Sequence, residues 1–203
     1  GEVAVETVKG DVYVKGGSGR LNLQSVEGDV SLEGSSGDAE LSSVNAGVTV
    51  TGHQGGLKVE TVNGEIVLEG IRGSSVEAST VNGEVIFDGE VRSGGHYLFA
   101  THNGDITVGL PANPSVTVSV STFGGDFETS FPVKLKTSER HKRMRFTLGA
   151  GAAELELESF QGTIRLVERG AAGMGYAREK VKHEKAEKEK EKEMERQRES
   201  GEN

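Results

Sequence analysis

The amino-acid sequence predicts an all-β protein, a parallel β-helix or β-solenoid, and three observations lead to this fold class. One phrase, apolar-x-apolar-x-(Ser/Thr)-apolar-x-Gly-(Asp/Glu)-apolar-x-apolar, recurs eight times along the chain. Apolar and polar residues alternate within each copy, as in a half-buried strand. The same residue type also returns at the same position of successive copies, which stacked rungs require and a meander of hairpins does not.

Each copy of the phrase is predicted to form two short strands joined at a corner. The copies begin at Val3, Leu21, Ala39, Leu57, Val76, Tyr97, Val118 and Leu155. Their corner positions are Gly10, Gly28, Ala46, Gly64, Gly83, Gly104, Gly125 and Gly162. The last gap between corners is long enough for two copies, one of them degenerate. The spacing predicts about eight to nine rungs of 18–21 residues, and the usual handedness of parallel crossovers favours a right-handed winding.

The corner is the most repetitive part of the phrase. Three corners carry Asn-Gly, at 63–64, 82–83 and 103–104, and this pair tolerates positive φ, so we expect left-handed backbone there. A column of hydroxyl residues precedes the corners: Thr7, Ser25, Ser43, Thr61, Thr80, Thr101, Thr122 and Ser159. A valine column follows it: Val8, Val26, Val44, Val62 and Val81. We interpret these valines as buried at the bend, so Val62→Asp is expected to cost several kcal/mol.

The core is expected to widen toward the C-terminus, because all seven phenylalanines lie at or after residue 87. His102 occupies the position of the valine column in its copy. No second His or Cys recurs near it, so we interpret it as a hydrogen-bonded core or corner residue rather than a catalytic one.

Acidic residues follow most of the corners. They are Asp11, Asp29, Glu65, Glu84, Asp105 and Asp126. General acid and base catalysis needs two carboxylates in distinct environments, whereas equivalent repeat positions are alike. We therefore interpret this column as a solvated edge whose carboxylates accept hydrogen bonds from turn N–H groups. Calcium could bridge such a column, but the nonapeptide of calcium-binding β-rolls is absent. GxSxG, HExxH, P-loop and EF-hand patterns are also absent, so we assign no catalytic, cofactor or metal residue.

The chain divides into a repeat domain and a charged tail. Residues 1–168 form the predicted solenoid, and residues 131–153 a basic hairpin or loop insertion within it. The cations of that insertion are Lys134, Lys136, Arg140, Lys142, Arg143 and Arg145. They form either a patch for acidic polymers or a solvated hairpin that offsets the acidic rungs. Residues 169–203 are expected to be a flexible hinge and a charged tail, helical or disordered, in which Glu187–Glu193 alternates Glu and Lys.

Charge and composition exclude several kinds of partner and site. The net charge is −9 and belongs to residues 1–175, because residues 176–203 contain nine Lys/Arg and nine Glu, so nucleic acid is an unfavourable partner. The absence of cysteine excludes disulfides, thiolate nucleophiles and Cys-ligated zinc. No apolar stretch approaches the roughly 20 residues of a membrane span, so we expect no direct membrane insertion of this segment.

The order of motifs resembles a known family. The rung phrase is followed by LPAN at Leu110–Asn113, DFETSFPV from Asp126 and TLGAGAAELELESFQGTIRL from Thr147. Over about residues 1–168 this series is similar to the bacterial β-strand-repeat adhesin family, a toastrack-type domain of unknown function. The chain departs from that family where alanines dilute the usual consecutive glycines at 149–153 and where residues 159–164 replace its usual final turn. The resemblance implies an all-β repeat domain, often exported or tethered at the envelope, with no established catalytic residues.

Three functions follow from these observations. The first is a non-enzymatic structural or binding module of the bacterial cell envelope, periplasmic or on the cell surface, whose partner is an envelope protein or polymer. The second is a self-assembling scaffold, similar to a bactofilin polymer, that associates through the open ends of the solenoid. The third and least favoured is a polysaccharide-acting β-helix enzyme.

Overall fold

Two β-sheets face each other across one apolar core. The structure, a computed structural model, describes residues 1–133, 142–169 and 179. In this part of the chain almost every regular element is a strand, and parallel pairing joins neighbouring rungs. The all-β parallel solenoid is therefore confirmed.

The strands alternate between the two sheets along the chain. Within the described residues, sheet A contains Glu2–Lys9 (β1), Ser18–Glu27 (β3), Ser36–Ser43 (β5), Leu57–Thr61 (β7), Ser75–Asn82 (β9), His96–Asn103 (β11), Val116–Thr122 (β13), Lys142–Leu148 (β15) and Glu154–Gln161 (β16). Sheet B contains Val12–Lys15 (β2), Val30–Glu33 (β4), Val48–Thr51 (β6), Ile66–Ile71 (β8), Val85–Gly89 (β10), Ile106–Leu110 (β12), Phe127–Thr129 (β14) and Ile164–Glu168 (β17).

The first twelve strands build a regular solenoid. Each odd-numbered strand from β1 to β11 pairs in parallel with the next one in sheet A, and the even-numbered strands do the same in sheet B. These pairs make about six turns in chain order, so the predicted count of eight to nine rungs was slightly too high. The prediction counted every copy of the phrase. The last two copies, which form β13/β14 and β16/β17, do not stack in chain order on the first six turns.

The strand order changes after β12. Beyond β11, sheet A continues as β16, β13 and β15, and beyond β12, sheet B continues as β17 and β14. The final copy is therefore inserted between the sixth turn and the strand pair β13/β14. Two prolines, Pro111 and Pro114, lie in the connection from β12 to β13, which passes over the position that β16 and β17 occupy in the sheets. Proline cannot donate a hydrogen bond to a strand ladder. Strand β15 then pairs antiparallel to β13 and forms the edge of sheet A.

The hydroxyl column is in register, as predicted. Ser25 pairs with Ser43, Ser43 with Thr61 and Thr80 with Thr101 on adjacent strands. The hydroxyls of Thr61 and Thr101 donate hydrogen bonds to the corner carbonyls of the preceding turn, at 3.0 Å in both cases. These buried hydroxyls thus tie each corner to the one below it.

The valine column lies outside the core, and our prediction that Val62 is buried was wrong. Val62 is 40% exposed, and its equivalents Val26, Val44 and Val81 are between 39% and 43% exposed. The alternation of the strand continues unbroken through Thr61, which points inward, to Val62, which points outward, and the phase slips only after Val62. The buried residues of the preceding strand β7 are Leu57, Val59 and Thr61, and Val59 has 0% exposure.

The Asn-Gly corners differ from the expected left-handed turn. Gly64, Gly83 and Gly104 are not among the glycines with positive φ, and no described non-glycine residue has positive φ. Glycine is favoured there because the rungs approach closely: without a backbone shift, a Cβ on Gly83 would lie 1.9 Å from the carbonyl oxygen of Gly64. The asparagines form a ladder along the solenoid, in which Asn82 Nδ2 donates to Asn63 Oδ1 at 2.9 Å.

The aromatic residues divide between core and surface. Phe87 and Phe99 lie in the core with ring centroids 4.8 Å apart, as the predicted change in core composition requires. Phe123 and Phe160 are instead 57% and 39% exposed, contrary to the prediction that all seven fill a wider core. Both follow a hydroxyl residue, which places them in the outward position of the valine column.

The predicted basic insertion and tail fall partly outside the described residues. Of segment 131–153, residues 134–141 lie outside them, and Lys142–Leu148 forms β15. Residues 170–178 and 180–203, which include the predicted hinge and the Glu187–Glu193 alternation, also lie outside them.

Candidate functional site

Three adjacent strands at the C-terminal end of sheet A carry contrasting side chains on their outer face. Strand β16 presents Glu154, Glu156 and Glu158, β13 presents Thr117, Ser119 and Ser121, and β15 presents Arg143, Arg145 and Thr147. Their alternate residues point into the core, as the two-residue period of a strand dictates. An acidic and a basic strand therefore flank a strand of small hydroxyl residues.

Strand register aligns these side chains across the sheet. Ser121 is paired with both Glu158 and Arg143. Ser119 is paired in the same way with both Glu156 and Arg145. Two rows of side chains therefore cross the three strands, each with a carboxylate on β16, a hydroxyl on β13 and a guanidinium on β15. Because neighbouring strands lie about 4.8 Å apart, the backbones of the acidic and basic strands are roughly 9.6 Å apart.

The short serine side chains leave open space between the longer ones. Two shallow, open depressions of about 690 Å³ and 390 Å³ adjoin here, and Ser121, Arg143 and Glu158 line both. We call this surface the charged trough. It comprises a floor of Ser119 and Ser121, an acidic wall of Glu156 and Glu158 and a basic wall of Arg143 and Arg145.

The ion pair between Arg145 of the basic wall and Glu154 of β16 is weak. Arg145 Nη2 lies 4.0 Å from Glu154 Oε1, with side-chain exposures of 70% and 62%. Exposed ion pairs of this kind contribute only about 0–1 kcal/mol. A ligand that offers better-placed charges can therefore displace them at little cost.

An aromatic stack closes one end of the trough. The ring of His102 stacks on Phe160 at a centroid distance of 4.6 Å, and Phe160 stacks on Phe123 at 4.8 Å. His102 is thus an exposed corner residue, in agreement with the predicted corner position and not with a core one. Phe123 and Phe160 also line the larger depression, where they add apolar surface beside the charges.

The acidic column of the corners has a structural role. Asp11 Oδ1 accepts a hydrogen bond from the backbone N–H of Asp29 at 2.8 Å, and Asp29 Oδ1 accepts one from Gly47 at 3.0 Å. Asp105 Oδ1 accepts from the N–H of Thr163 at 2.8 Å, so the predicted hydrogen bonds to turn N–H groups are confirmed at these three aspartates. Among the described residues, no group of three or more His, Asp or Glu side chains is arranged to hold a metal ion.

One buried histidine, His53, was not singled out from the sequence. Its Nε2 lies 3.0 Å from the carbonyl oxygen of Gly56, which can only accept, so Nε2 carries the proton. Its Nδ1 therefore accepts from the Ser35 hydroxyl at 2.8 Å. Burial lowers the pKa of His53, against the opposing effect of the hydrogen bonds to Gly56 and Gly37. A neutral, fully hydrogen-bonded ring inside a corner is a structural feature and is remote from solvent.

Sequence reasoning identified only the basic wall of the trough. Arg143 and Arg145 belong to the predicted basic segment, and the structure places them on the basic wall; Lys134, Lys136 and Arg140 lie outside the described residues. Glu156, Glu158 and the serines were missed. Their alternation was visible in LELES and VTVSVST, but their proximity depends on the insertion of β16 between β11 and β13.

Comparison with known proteins adds one finding. A family model described as Toastrack DUF4097 matches residues 1–167. No curated protein matches the chain, and no solved structure does. None of the described residues belongs to a helix with the length and hydropathy of a membrane span.

Proposed function

The chain belongs to the Toastrack family, a domain family of unknown function, and on this premise we propose that it is a non-catalytic, adhesin-like binding module of the bacterial cell envelope. The charged trough and the aromatic stack beside it are the binding surface. The observation that carries this proposal is the in-register pairing of Ser119 and Ser121 with a glutamate on one side and an arginine on the other. The envelope location is drawn from the family resemblance.

The location of the trough supports a binding role. The regular turns repeat one pattern, and on them outward charges pair with near neighbours, as Lys58 Nζ does with Glu60 Oε1 at 3.1 Å. At the trough the order of strands changes, and two opposite walls replace that local pairing. A surface that breaks the repeat can carry specificity that the repeat itself lacks, while the stacked turns hold it rigid.

The carboxylates of the trough favour binding over hydrolysis. Glu156 and Glu158 lie on one wall, two residues apart on the same strand. A glycosidase needs its two carboxylates on opposite sides of the scissile bond, in environments that separate their pKa values. We therefore propose that these glutamates act as charge partners for a ligand.

Self-assembly is our second candidate. A solenoid polymerises when both ends present parallel strands that can accept another rung. At the C-terminal end of sheet A, the edge strand β15 runs antiparallel to β13 and carries Arg143 and Arg145. An antiparallel, charged edge disfavours head-to-tail stacking, so we rank assembly below binding.

Reversal of the basic wall tests the proposed function. We expect Arg143→Glu with Arg145→Glu to reduce binding of the labelled protein to purified envelope fractions about tenfold, because the charge that faces the ligand changes sign. Quantitative sedimentation with the fractions measures this effect. The matched control is Lys9→Glu with Arg20→Glu, which changes the net charge equally at exposed positions of β1 and β3.

The control decides how the result is read. Equal loss of binding in both double variants would mean that net charge, and not the trough, governs attachment, and the proposal would fail. Release of reducing ends from envelope polysaccharide by the unmodified protein would instead establish the enzymatic alternative.

A further inference from the structure

The ligand class follows from the geometry of the trough. We infer that the trough binds an extended polypeptide segment of a partner protein in which cationic and anionic side chains alternate. This inference rests on the proposed function, because it names what the proposed surface binds.

The spacing of the charges matches an extended chain. Glu156 and Glu158 are two residues apart on β16, and Arg143 and Arg145 are two residues apart on β15, so each wall repeats its charge every 6.6–6.8 Å or so. An extended peptide has the same two-residue repeat and directs successive side chains to opposite sides. Laid along β13, it places cations against the glutamates and anions against the arginines.

The floor of the trough suits a peptide backbone. Ser119 and Ser121 carry hydroxyl groups that both donate and accept hydrogen bonds, and a peptide backbone offers both kinds of group. The strands that carry the walls are roughly 9.6 Å apart, so the short floor residues leave room for a chain once it displaces the exposed ion pair of Arg145 with Glu154. The larger depression also includes Phe160, which provides apolar contact for a residue that flanks the alternating stretch.

The two-sided charge excludes other polymers. An acidic glycan or nucleic acid is attracted by Arg143 and Arg145 but repelled by Glu156 and Glu158 on the opposite wall. A uniformly basic peptide is attracted by the glutamates but repelled by the arginines. A helix gathers side chains three and four residues apart on one face, so a helical peptide with alternating charges presents both signs to each wall.

The order of charges in a peptide is the decisive variable. The probe is a fluorescent twelve-residue peptide of alternating Lys and Glu, the pattern that this chain has at Glu187–Glu193. The control peptide has the same composition in the order Glu-Glu-Lys-Lys, which presents both signs to each wall when extended. With the full chain at low salt, fluorescence anisotropy is expected to give at least about tenfold tighter binding of the alternating peptide.

Exchange of the walls separates complementarity from net charge. Arg143→Glu with Arg145→Glu is expected to weaken binding of the alternating peptide about tenfold, while Lys9→Glu with Arg20→Glu leaves it unchanged. Adding Glu156→Lys and Glu158→Lys to the first variant exchanges the two walls, and binding should return, because an extended alternating peptide fits the exchanged walls when turned over. Circular dichroism verifies that each variant keeps its strand content.

The outcomes distinguish this inference from the proposed function. Equal affinity for both peptides, or failure of the exchanged walls to restore binding, overturns the alternating-charge ligand. If envelope binding still depends on Arg143 and Arg145 in that case, the binding module stands with a different ligand. If the Arg143→Glu/Arg145→Glu variant keeps both envelope binding and peptide binding, the inference and the proposed function are both overturned.

Discussion

Replacement of Gly83 by valine is expected to lower the free energy of unfolding by about 3 kcal/mol or more. A Cβ at this position would lie 1.9 Å from the carbonyl oxygen of Gly64, and the same close approach occurs at Gly104, 1.9 Å from the carbonyl oxygen of Gly83. Backbone atoms cannot yield as a flexible side chain can, so neighbouring turns must separate. Urea unfolding followed by circular dichroism measures the loss.

Gly124 provides the matched control for Gly83. It is exposed, it is not among the glycines with positive φ, and its Cβ would meet the nearest heavy atom, the carbonyl oxygen of Phe160, at 3.5 Å. Gly124→Val is therefore expected to change stability by no more than about 0.5 kcal/mol. Valine is the decisive substitution, because Ala46 already occupies the equivalent corner of another turn. Equal losses at 83 and 124 would contradict the account of close-packed corners.

Val59→Asp is expected to destabilise the protein by about 3 kcal/mol or more, whereas Val62→Asp, three residues later, should cost about 1 kcal/mol or less. Val59 has 0% exposure within the core and Val62 has 40%. At position 59 the carboxylate loses its hydration and meets apolar neighbours, and at position 62 it stays in water. Unfolding of both variants in urea measures the difference.

The Val62 variant also checks the corrected orientation of the valine column. If Val62→Asp were as damaging as Val59→Asp, the corner valines would belong to the core, as their sequence pattern first indicated. A small effect at 62 with a large one at 59 supports the outward orientation.

The sequence predicted the architecture because the repeat expresses it directly. Stacked turns place equivalent residues together, so the hydroxyl column that includes Ser43 and Thr61 was sufficient to identify parallel, in-register rungs. The orientation of Val62 was not predictable in the same way. The alternation of Val59 and Thr61 continues to Val62 and directs it outward, but an apolar side chain beside a bend suits burial as well as exposure.

The charged trough could be predicted only in part. Arg143 and Arg145 were recognised as an unusual cluster of cations. The facing glutamates lie on β16, which comes after β13 and β15 in the chain but lies between β11 and β13 in the sheet. Periodicity identifies which residues of a strand share a face, and it carries no information on which strands are neighbours. The insertion of β16 between β11 and β13 therefore had to come from the structure.

Disulfide cross-linking tests the stacking order most directly, because the chain contains no cysteine. Stacked positions of adjacent rungs lie about 4.8 Å apart, within the reach of a disulfide, whereas positions two rungs apart lie beyond it. We predict that His102→Cys with Phe160→Cys cross-links on mild oxidation, as does Val62→Cys with Val81→Cys. His102→Cys with Phe123→Cys should stay reduced within each chain, because β16 separates the two. Cross-linking of the 102–123 pair in place of the 102–160 pair would contradict the inserted rung, and with it the charged trough.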